Sequence, residues 1–270
     1  MCAAAVPLLE VDVAIVGGGM VGASLAAALA GSGRRLILIE SVPFGTAAQP
    51  SFDERTTALG NVSRRIFEGL AVWDSIAREA AAIRTIHVSE AGRFGFARLT
   101  AAEQGVEAFG YVVANRCIGA ALWQRLRTAP DLTLQAPARV EDLAVTAAGV
   151  RFTVVNESGT ALPVGARLLV AADGAHSQIR AAAGISADVV DYDQVAVVAN
   201  VGADRAHEGN AYERFTPAGP LAVLPRHDGG LAVIWACRPE TSLISPAGWL
   251  AWSRPDADSS CSRAATTSTL

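Results

Sequence analysis

Four residues near the N-terminus have the spacing of a phosphate-binding turn followed by an acid. Gly17, Gly19 and Gly22 fit the pattern GxGxxG, and Glu40 lies 18 residues after Gly22. Glycines at these positions permit a tight turn, close approach of the backbone to a pyrophosphate and close packing of a helix on a strand. The N–H groups of a helix N-terminus can bind phosphate, and a carboxylate can accept hydrogen bonds from a ribose. The spacing therefore predicts a dinucleotide site; the acid disfavours NADP, because it would repel a 2′-phosphate, whereas NAD and FAD both remain open.

The residues around these glycines predict the elements that must position them. Residues 11–16 are a continuous apolar run of the kind found in fully buried strands, and residues 20–30 are rich in Ala and Leu, which favour a helix. Residues 35–39 form a second apolar run that ends at Glu40. The complete strand–turn–helix–strand unit favours nucleotide binding over a glycine-rich turn without a ligand.

A second apolar run ends at an acid and a glycine more than a hundred residues later. In LLVAADGAHSQIR (168–180), Asp173 and Gly174 follow the run. A strand that ends there delivers a carboxylate to the C-terminal edge of a sheet, where ligands of open α/β sheets bind. An Asp-Gly pair is also a common turn, and its position relative to the first unit favours a contact with the same nucleotide.

The composition excludes several classes of function. A net charge of −4 and a pI of about 5.6 give no basic footprint for nucleic acid. No apolar run reaches the roughly 18–20 residues of a membrane span, and the N-terminus lacks the basic region of a signal peptide, so we expect a cytoplasmic protein. The four cysteines and four histidines are dispersed, and we expect no metal site.

The rest of the chain predicts further helices and a second sheet. Residues 52–81 have helical periodicity, which predicts two helices with Ile66, Leu70, Trp73 and Ile76 in the core. Residues beyond about 240 are rich in Ser, Thr, Ala and Pro and have no sustained period. We expect a hairpin over 83–99, a strand and an amphipathic helix over 111–129, short strands over 132–155, and a second sheet from 194–201, 211–216, 220–225 and 231–237.

The motifs, taken in order, resemble a known family. GGGxxG, FDERTTALG, VVANR and AADGAHSQIR together resemble the flavin-dependent aromatic monooxygenases of the p-hydroxybenzoate hydroxylase type. The segments TIHVSEAGRFGFARL, HEGNAYERFTPAGPLAVLP and LAVIWACRP are similar to the ubiquinone-biosynthesis FAD-dependent hydroxylases, in particular to the 2-octaprenyl-6-methoxyphenol hydroxylase group. The resemblance covers about residues 10–240.

The resemblance implies an α/β fold with two interleaved domains. A Rossmann-like FAD-binding domain would comprise residues 1–81 and 105–184, discontinuous and incomplete. A mainly antiparallel β substrate domain would comprise residues 82–104 and 185–240. Residues 241–270 would form an irregular tail outside the family pattern.

The resemblance also implies roles for individual residues. Gly17, Gly19, Gly22 and Glu40 would hold the ADP half of FAD. Arg55 would reach the pyrophosphate or ribityl region, where a guanidinium can bind phosphate through two bonds; the alternative is a residue at a helix start paired with Asp53 or Glu54. Asn115 matches a flavin-contacting amide, Arg116 is a weaker candidate beside it, and Asp173 and Gly174 complete the second motif. Tyr212, Arg214, Phe215 and Pro220 fall in the substrate sheet, where simple packing is the favoured alternative.

The implied activity is hydroxylation of a polyprenylated phenol in ubiquinone biosynthesis. FAD reduced by NAD(P)H would react with O2 to form a C4a-hydroperoxide, whose distal oxygen is transferred to the ring. No acid–base residue is assigned, and His176 is interpreted as a turn residue. The implied partners are the polyprenyl phenol, O2, other ubiquinone-biosynthesis proteins and peripheral contact with the inner membrane.

One family feature is not found in the sequence. Family members carry a Gly-Asp-Ala-like third flavin motif after the substrate sheet, and no stretch after residue 240 fits it. We therefore hypothesise a truncated or frameshifted hydroxylase with weak FAD binding and little or no activity; the alternative is a natural short form. Other interpretations are a non-catalytic FAD-binding or partner-binding remnant and another flavin oxidoreductase on the same scaffold. An NAD dehydrogenase is disfavoured by the second motif.

Overall fold

A computed structural model describes residues 7–43, 49 and 53–241 and the backbone of residues 265–269. The strands are β1 (Leu9–Val16), β2 (Leu36–Ile39), β3 (Thr56–Gly60), β4 (Ala80–Ile83), β5 (Thr85–Glu90), β6 (Phe96–Thr100), β7 (Gly110–Ala114), β8 (Leu132–Gln135), β9 (Ala138–Thr146), β10 (Gly149–Asn156), β11 (Ala161–Ala171), β12 (Val195–Val201), β13 (Asn210–Thr216), β14 (Gly219–Pro225), β15 (Leu231–Cys237) and β16 (Ala265–Thr269). The helices are α1 (Met20–Leu29), α2 (Asn61–Gly69), α3 (Trp73–Ala77), α4 (Asn115–Leu126) and α5 (Gln178–Ala182).

The chain divides into two compact units. The first unit consists of Met1–Asp53, Phe67–Ser75 and Asn115–Asp188. The second unit consists of Glu54–Ile66, Ile76–Ala114 and Val189–Leu270.

The first unit contains a six-stranded sheet in the order β8-β2-β1-β11-β10-β9. Strands β8, β2, β1 and β11 are parallel, and β10 and β9 continue the sheet antiparallel. The predicted strand–turn–helix–strand unit is confirmed as β1, α1 and β2. Every residue of β2 is buried, and Ile15 of β1 is fully buried, because these central strands are covered on both faces.

Strand β11 is less buried than its apolar sequence predicts. Strand β10 pairs with β11 only as far as Ala166, and among the described strands β1 alone pairs with the residues after it. Leu168 is accordingly 54% exposed. The end of the strand that precedes Asp173 is therefore only partly buried.

The second unit contains two sheets. The larger has the order β16-β12-β15-β14-β13-β5-β6, and all its pairs are antiparallel except β13 with β5. The smaller has the order β3-β7-β4. Ile83 and Val112 of the smaller sheet pack with Ala211 and Leu224 of the larger, and this apolar contact unites the two sheets. The hairpin over 83–99 and the second sheet are as the sequence predicts.

The prediction of two helices over residues 52–81 is wrong in its first part. Residues Thr56–Gly60 form strand β3, which pairs with β7 across about 50 to 58 residues of the chain. This long-range pairing overrides the local helical pattern, and it suits the β-branched Thr56 and Thr57. Ile66 is 54% exposed rather than in the core, and the adjacent Phe67 is buried instead.

The compact units differ from the expected domain boundaries. Residues 54–66, 76–81 and 105–114 belong to the second unit, because they carry the three strands of the smaller sheet. In the expected irregular tail, residues 242–264 and 270 lie outside the described part of the chain. Residues Ala265–Thr269, however, form β16, which pairs antiparallel with β12. No helix in the described ranges is long and apolar enough to cross a membrane.

Candidate nucleotide-binding site

The first glycine of the turn lies directly against the second motif. The Gly17 N–H donates to the Ile39 carbonyl at 2.8 Å, and the Ala172 N–H donates to the Val16 carbonyl at 2.7 Å. A β-carbon on Gly17 would overlap the Ala172 carbonyl oxygen and would lie 2.8 Å from the Asp173 nitrogen. Gly17 also has φ +102°, a backbone conformation that residues with a side chain rarely adopt. The parallel pairing of β1 with β11 therefore brings the two predicted motifs together.

The third glycine of the pattern allows helix α1 to begin close to the turn. A β-carbon on Gly22 would overlap the Gly17 carbonyl oxygen and would lie 3.2 Å from the Ala172 β-carbon. Both glycines are thus required by the backbone packing at the end of β1. This packing role for Gly22 agrees with the prediction from the GxGxxG spacing.

The N-terminus of α1 is open to an acceptor. Gly19 is the N-cap residue, has an extended backbone and makes no side-chain capping bond. The first turn of α1 contains no acidic residue. The first N–H groups of a helix lack intrahelical partners, so this end presents donors and the positive end of the helix dipole. A phosphate would satisfy these groups.

Glu40 is buried at the end of β2, with 6% of its surface exposed. Its Oε2 accepts the Gly18 N–H at 2.6 Å, and its Oε1 accepts the Val42 N–H at 2.8 Å and the Ser41 hydroxyl at 3.2 Å. A carboxylate has about four acceptor positions, and three are occupied by these bonds. Glu40 therefore fixes the turn, and the described residues leave about one of its acceptor positions unoccupied.

Trp123 binds the carbonyl of Gly18, the residue whose N–H donates to Glu40. Its indole Nε1–H donates to the Gly18 carbonyl at 3.1 Å, and its side chain is buried. A β-carbon on Gly18 would lie 2.5 Å from the Trp123 ring and 3.0 Å from the Glu40 β-carbon. Gly18 is therefore held through its N–H by Glu40 and through its carbonyl by Trp123. The sequence analysis missed Gly18 and Trp123. The middle glycine of the GGG run is a signal for Gly18, whereas Trp123 leaves none because it is 105 residues away.

Asp173 uses its carboxylate to cap a short helix. Its Oδ1 accepts the Ser177 hydroxyl at 2.5 Å, and its Oδ2 accepts the Ile179 N–H at 3.2 Å. The Ser177 Oγ in turn accepts the Arg180 N–H at 2.9 Å as the N-cap of α5. Gly174 has φ +89° and is exposed. The sequence pattern predicts a ligand contact for Asp173, and the structure adds this capping role through Ser177, which the sequence analysis did not select.

The remaining predicted cofactor residues are divided between the two units. Asn115 is buried at the first position of α4, and Arg116 is exposed with its N–H donating to the Asp53 carbonyl at 3.1 Å; both belong to the first unit. Arg55 is half-buried, belongs to the second unit and directly precedes β3. The alternative of a helix start at Arg55 is therefore wrong.

The predicted substrate-sheet residues lie on two faces of the larger sheet. Tyr212 and Arg214 are in register with His87 and Ser89 of β5. Phe215 alternates to the other face and pairs with Pro220 of β14. His176 is exposed in the turn after Asp173. Within the ranges that the structure describes, no group of three or more His, Cys, Asp or Glu side chains could hold a metal ion.

The chain matches known proteins over most of its length. The model of the FAD binding domain family matches residues 10–245. Ubiquinone hydroxylase UbiL of Rhodospirillum rubrum is 37% identical over 228 residues, which are 84% of this chain and 52% of that protein. The 3-demethoxyubiquinol 3-hydroxylase of Escherichia coli is 33% identical over 229 residues, 83% of this chain and 56% of that protein. The chain thus spans about half the length of the curated relatives it matches.

Solved structures share the fold. The p-nitrophenol 4-monooxygenase PnpA from Pseudomonas putida matches with a TM-score of 0.73 and 22% identity, over 90% of this chain and 61% of that one. The flavin-dependent monooxygenase PieE, solved in complex with FAD and substrate, matches with a TM-score of 0.70 and 20% identity, over 92% of this chain and 46% of that one. The mixed α/β fold is therefore that of FAD-dependent monooxygenases, as the sequence motifs predict.

Proposed function

Because this chain belongs to the FAD binding domain family, we propose that it is a flavin-dependent monooxygenase that hydroxylates a polyprenylated phenol in ubiquinone biosynthesis. The observation that carries the proposal is the contact between Gly17 and the second motif, which places Asp173 beside the glycine-rich turn. The names of the relatives, ubiquinone hydroxylase and 3-demethoxyubiquinol 3-hydroxylase, support the substrate class.

The residues at the glycine-rich turn fit the ADP part of FAD. A β-carbon at Gly17 or Gly22 would collide with backbone, so the turn keeps the close-packed shape that exposes the α1 N–H groups. Those N–H groups would hold the pyrophosphate, and Glu40 would accept a bond from the ribose. We propose that Asp173 and Gly174, together with Arg55, Asn115 and Arg116, make further contacts with FAD.

Bound FAD would supply the redox chemistry, with NAD(P)H as electron donor and O2 as the oxygen source. The chain's own residues would bind and orient the cofactor. The larger sheet would receive the phenol, and its apolar strands suit a ring with a polyprenyl tail. We also propose contact with other ubiquinone-biosynthesis proteins and peripheral association of a cytoplasmic protein with the inner membrane.

The proposal is tested by adding FAD, NADH or NADPH and a short-chain prenylated phenol to the purified chain. The expected result is substrate-dependent oxidation of the reduced nucleotide and a product that gains one oxygen atom, at a low rate because the sequence lacks a recognisable third flavin motif. FAD binding without hydroxylation would overturn the proposed activity and leave the alternative of a non-catalytic FAD-binding protein. Absence of FAD binding would overturn the cofactor assignment as well.

A further inference from the structure

The hairpin of β5 and β6 in the second unit carries aromatic side chains in water. Phe94, in the turn between the two strands, is fully exposed, and Phe96, the first residue of β6, is 62% exposed. Both phenylalanines of this hairpin therefore lie in water. Large exposed aromatic side chains in proximity indicate an interaction surface.

The aromatic residues form one connected surface with two arginines. His87 stacks on Phe96 with a centroid distance of 4.6 Å and lies 5.7 Å from the Tyr212 ring. The Arg98 guanidinium carbon lies 5.4 Å from the centre of the Phe96 ring. The strand register places Arg214 on the same face, and its guanidinium donates to the Ser89 hydroxyl at 3.4 Å. We call Phe94, Phe96, Arg98, His87, Tyr212 and Arg214 the hairpin face.

The hairpin face is positively charged. Arg98 and Arg214 are both exposed. The other strand residues that share this face across β6, β5 and β13 carry no carboxylate; they are Thr100, Thr85, Ser89, Asn210 and Thr216. Glu90 alternates to the opposite face and is paired with Arg93 at 2.9 Å. The charge of this face is therefore opposite to that of the whole chain, which is −4.

We propose that the hairpin face docks on the surface of an anionic phospholipid bilayer. Aromatic rings and the stems of arginines occupy the boundary between headgroups and acyl chains, while guanidinium groups bind lipid phosphates. Phe94 is wholly exposed at the tip of a turn, so its ring can insert between lipids directly. A protein partner would instead need a packed pocket to bury it as an anchor. The proposal rests on the proposed function, in which a polyprenylated substrate resides in a bilayer, and it assigns the peripheral membrane association proposed there to a specific surface and lipid charge.

The tip of the hairpin is an open, glycine-containing turn. Gly92 and Gly95 flank Phe94 in sequence and have φ +75° and +102°. No atom lies within 4 Å of the position of a β-carbon at either glycine. The turn can therefore enter the headgroup region without moving packed residues of the sheet.

The test is flotation of the purified chain with vesicles of phosphatidylcholine alone and of phosphatidylcholine with phosphatidylglycerol. We expect the chain to float with the anionic vesicles. The affinity of the Phe94→Ser/Phe96→Ser double variant for these vesicles should be lower by about tenfold or more. Arg98→Gln/Arg214→Gln should lose the preference for anionic vesicles. Because the substituted side chains are exposed, all variants should fold, and circular dichroism checks this.

Val145→Ser is the matched control. Val145 is 64% exposed on another hairpin, that of β9 and β10 in the first unit, and its replacement should leave vesicle binding unchanged. The proposal is overturned if the native chain does not float, if the Phe94→Ser/Phe96→Ser variant floats equally well, or if Val145→Ser reduces binding as much. Self-association that the phenylalanine variant abolishes, without flotation, would assign the face to a second copy instead. FAD titration of the same samples separates this result from the proposed function, because none of the residues proposed to hold FAD belongs to the hairpin face.

Discussion

The carbonyl oxygen of Ala172 occupies the space in which a β-carbon of Gly17 would lie. The two residues are more than 150 positions apart, and each follows a strand of the same parallel pair. Gly17, directly after β1, thus packs against the backbone directly after β11. This contact joins the glycine-rich turn to the Asp-Gly motif and makes one candidate site of two separate sequence signals.

Gly17→Ala tests this contact. The substitution adds a β-carbon that collides with backbone at a residue with φ +102°, so the turn must move. We expect a loss of about 2 kcal/mol or more in the free energy of unfolding and at least about tenfold weaker ADP binding. Urea unfolding and ADP titration measure the two effects.

Gly31→Ala is the matched control, because it places alanine at a positive φ without a steric clash. Gly31 has φ +81°, but no atom lies within 4 Å of its β-carbon position. It should lose about 1 kcal/mol of stability and bind ADP normally. Equal losses of ADP affinity in the two variants would show that the contact with Ala172 has no role in binding.

Trp123→Phe removes the indole N–H that holds the Gly18 carbonyl and keeps most of the buried ring. We expect about 1 kcal/mol lower stability and ADP binding weaker by about fivefold, because the turn loses one of the two hydrogen bonds that hold Gly18. Hydrogen exchange at the Gly18 and Gly19 amides should become faster. Unchanged exchange together with unchanged ADP affinity would contradict a positioning role for Trp123.

Glu40→Gln tests the preference for a nucleotide without a 2′-phosphate. The native carboxylate should repel a 2′-phosphate, so ADP should bind better than 2′-phospho-ADP. The amide removes this repulsion, and the ratio of the two affinities should fall by about fivefold or more. The amide can accept fewer bonds than the carboxylate, so stability should also fall by about 1–3 kcal/mol. An unchanged affinity ratio would remove Glu40 from the ribose contact.

Asp173→Asn and Ser177→Ala separate capping from ligand binding. Ser177→Ala removes the hydroxyl that accepts the Arg180 N–H and donates to Asp173, and it should lower stability by about 1 kcal/mol. The two changes should be less than additive in the double variant, because they act on one hydrogen-bonded unit. Asp173→Asn should weaken FAD binding more than Ser177→Ala does. Equal effects on FAD binding would assign Asp173 to capping alone.

The sequence predicted the elements whose residue pattern is set within a short stretch of chain. The unit β1–α1–β2 was predicted because a buried strand, a glycine-rich turn and a helix each leave a pattern within about ten residues. The second sheet was predicted for the same reason. The strand Thr56–Gly60 was predicted as helix, because only its pairing with β7 makes it a strand.

The same distinction applies to the candidate site. Gly17, Gly22 and Glu40 follow a known spacing and were selected from the sequence. Trp123 could not be selected, because its hydrogen bond to Gly18 spans 105 residues and a tryptophan in an apolar helix has the pattern of a core residue. Asp173 was selected for a ligand, and its bond to Ser177 became visible only once the start of α5 was known.

The central claim, that this site binds FAD, is tested most directly by titrating the purified chain with FAD. The visible absorption and fluorescence of the flavin are monitored during the titration. The account predicts a saturable change in the flavin spectrum that ADP competes away and that Gly17→Ala weakens. No spectral change up to about 1 mM FAD, which corresponds to a binding free energy weaker than about −4 kcal/mol, would contradict the assignment of this site to FAD.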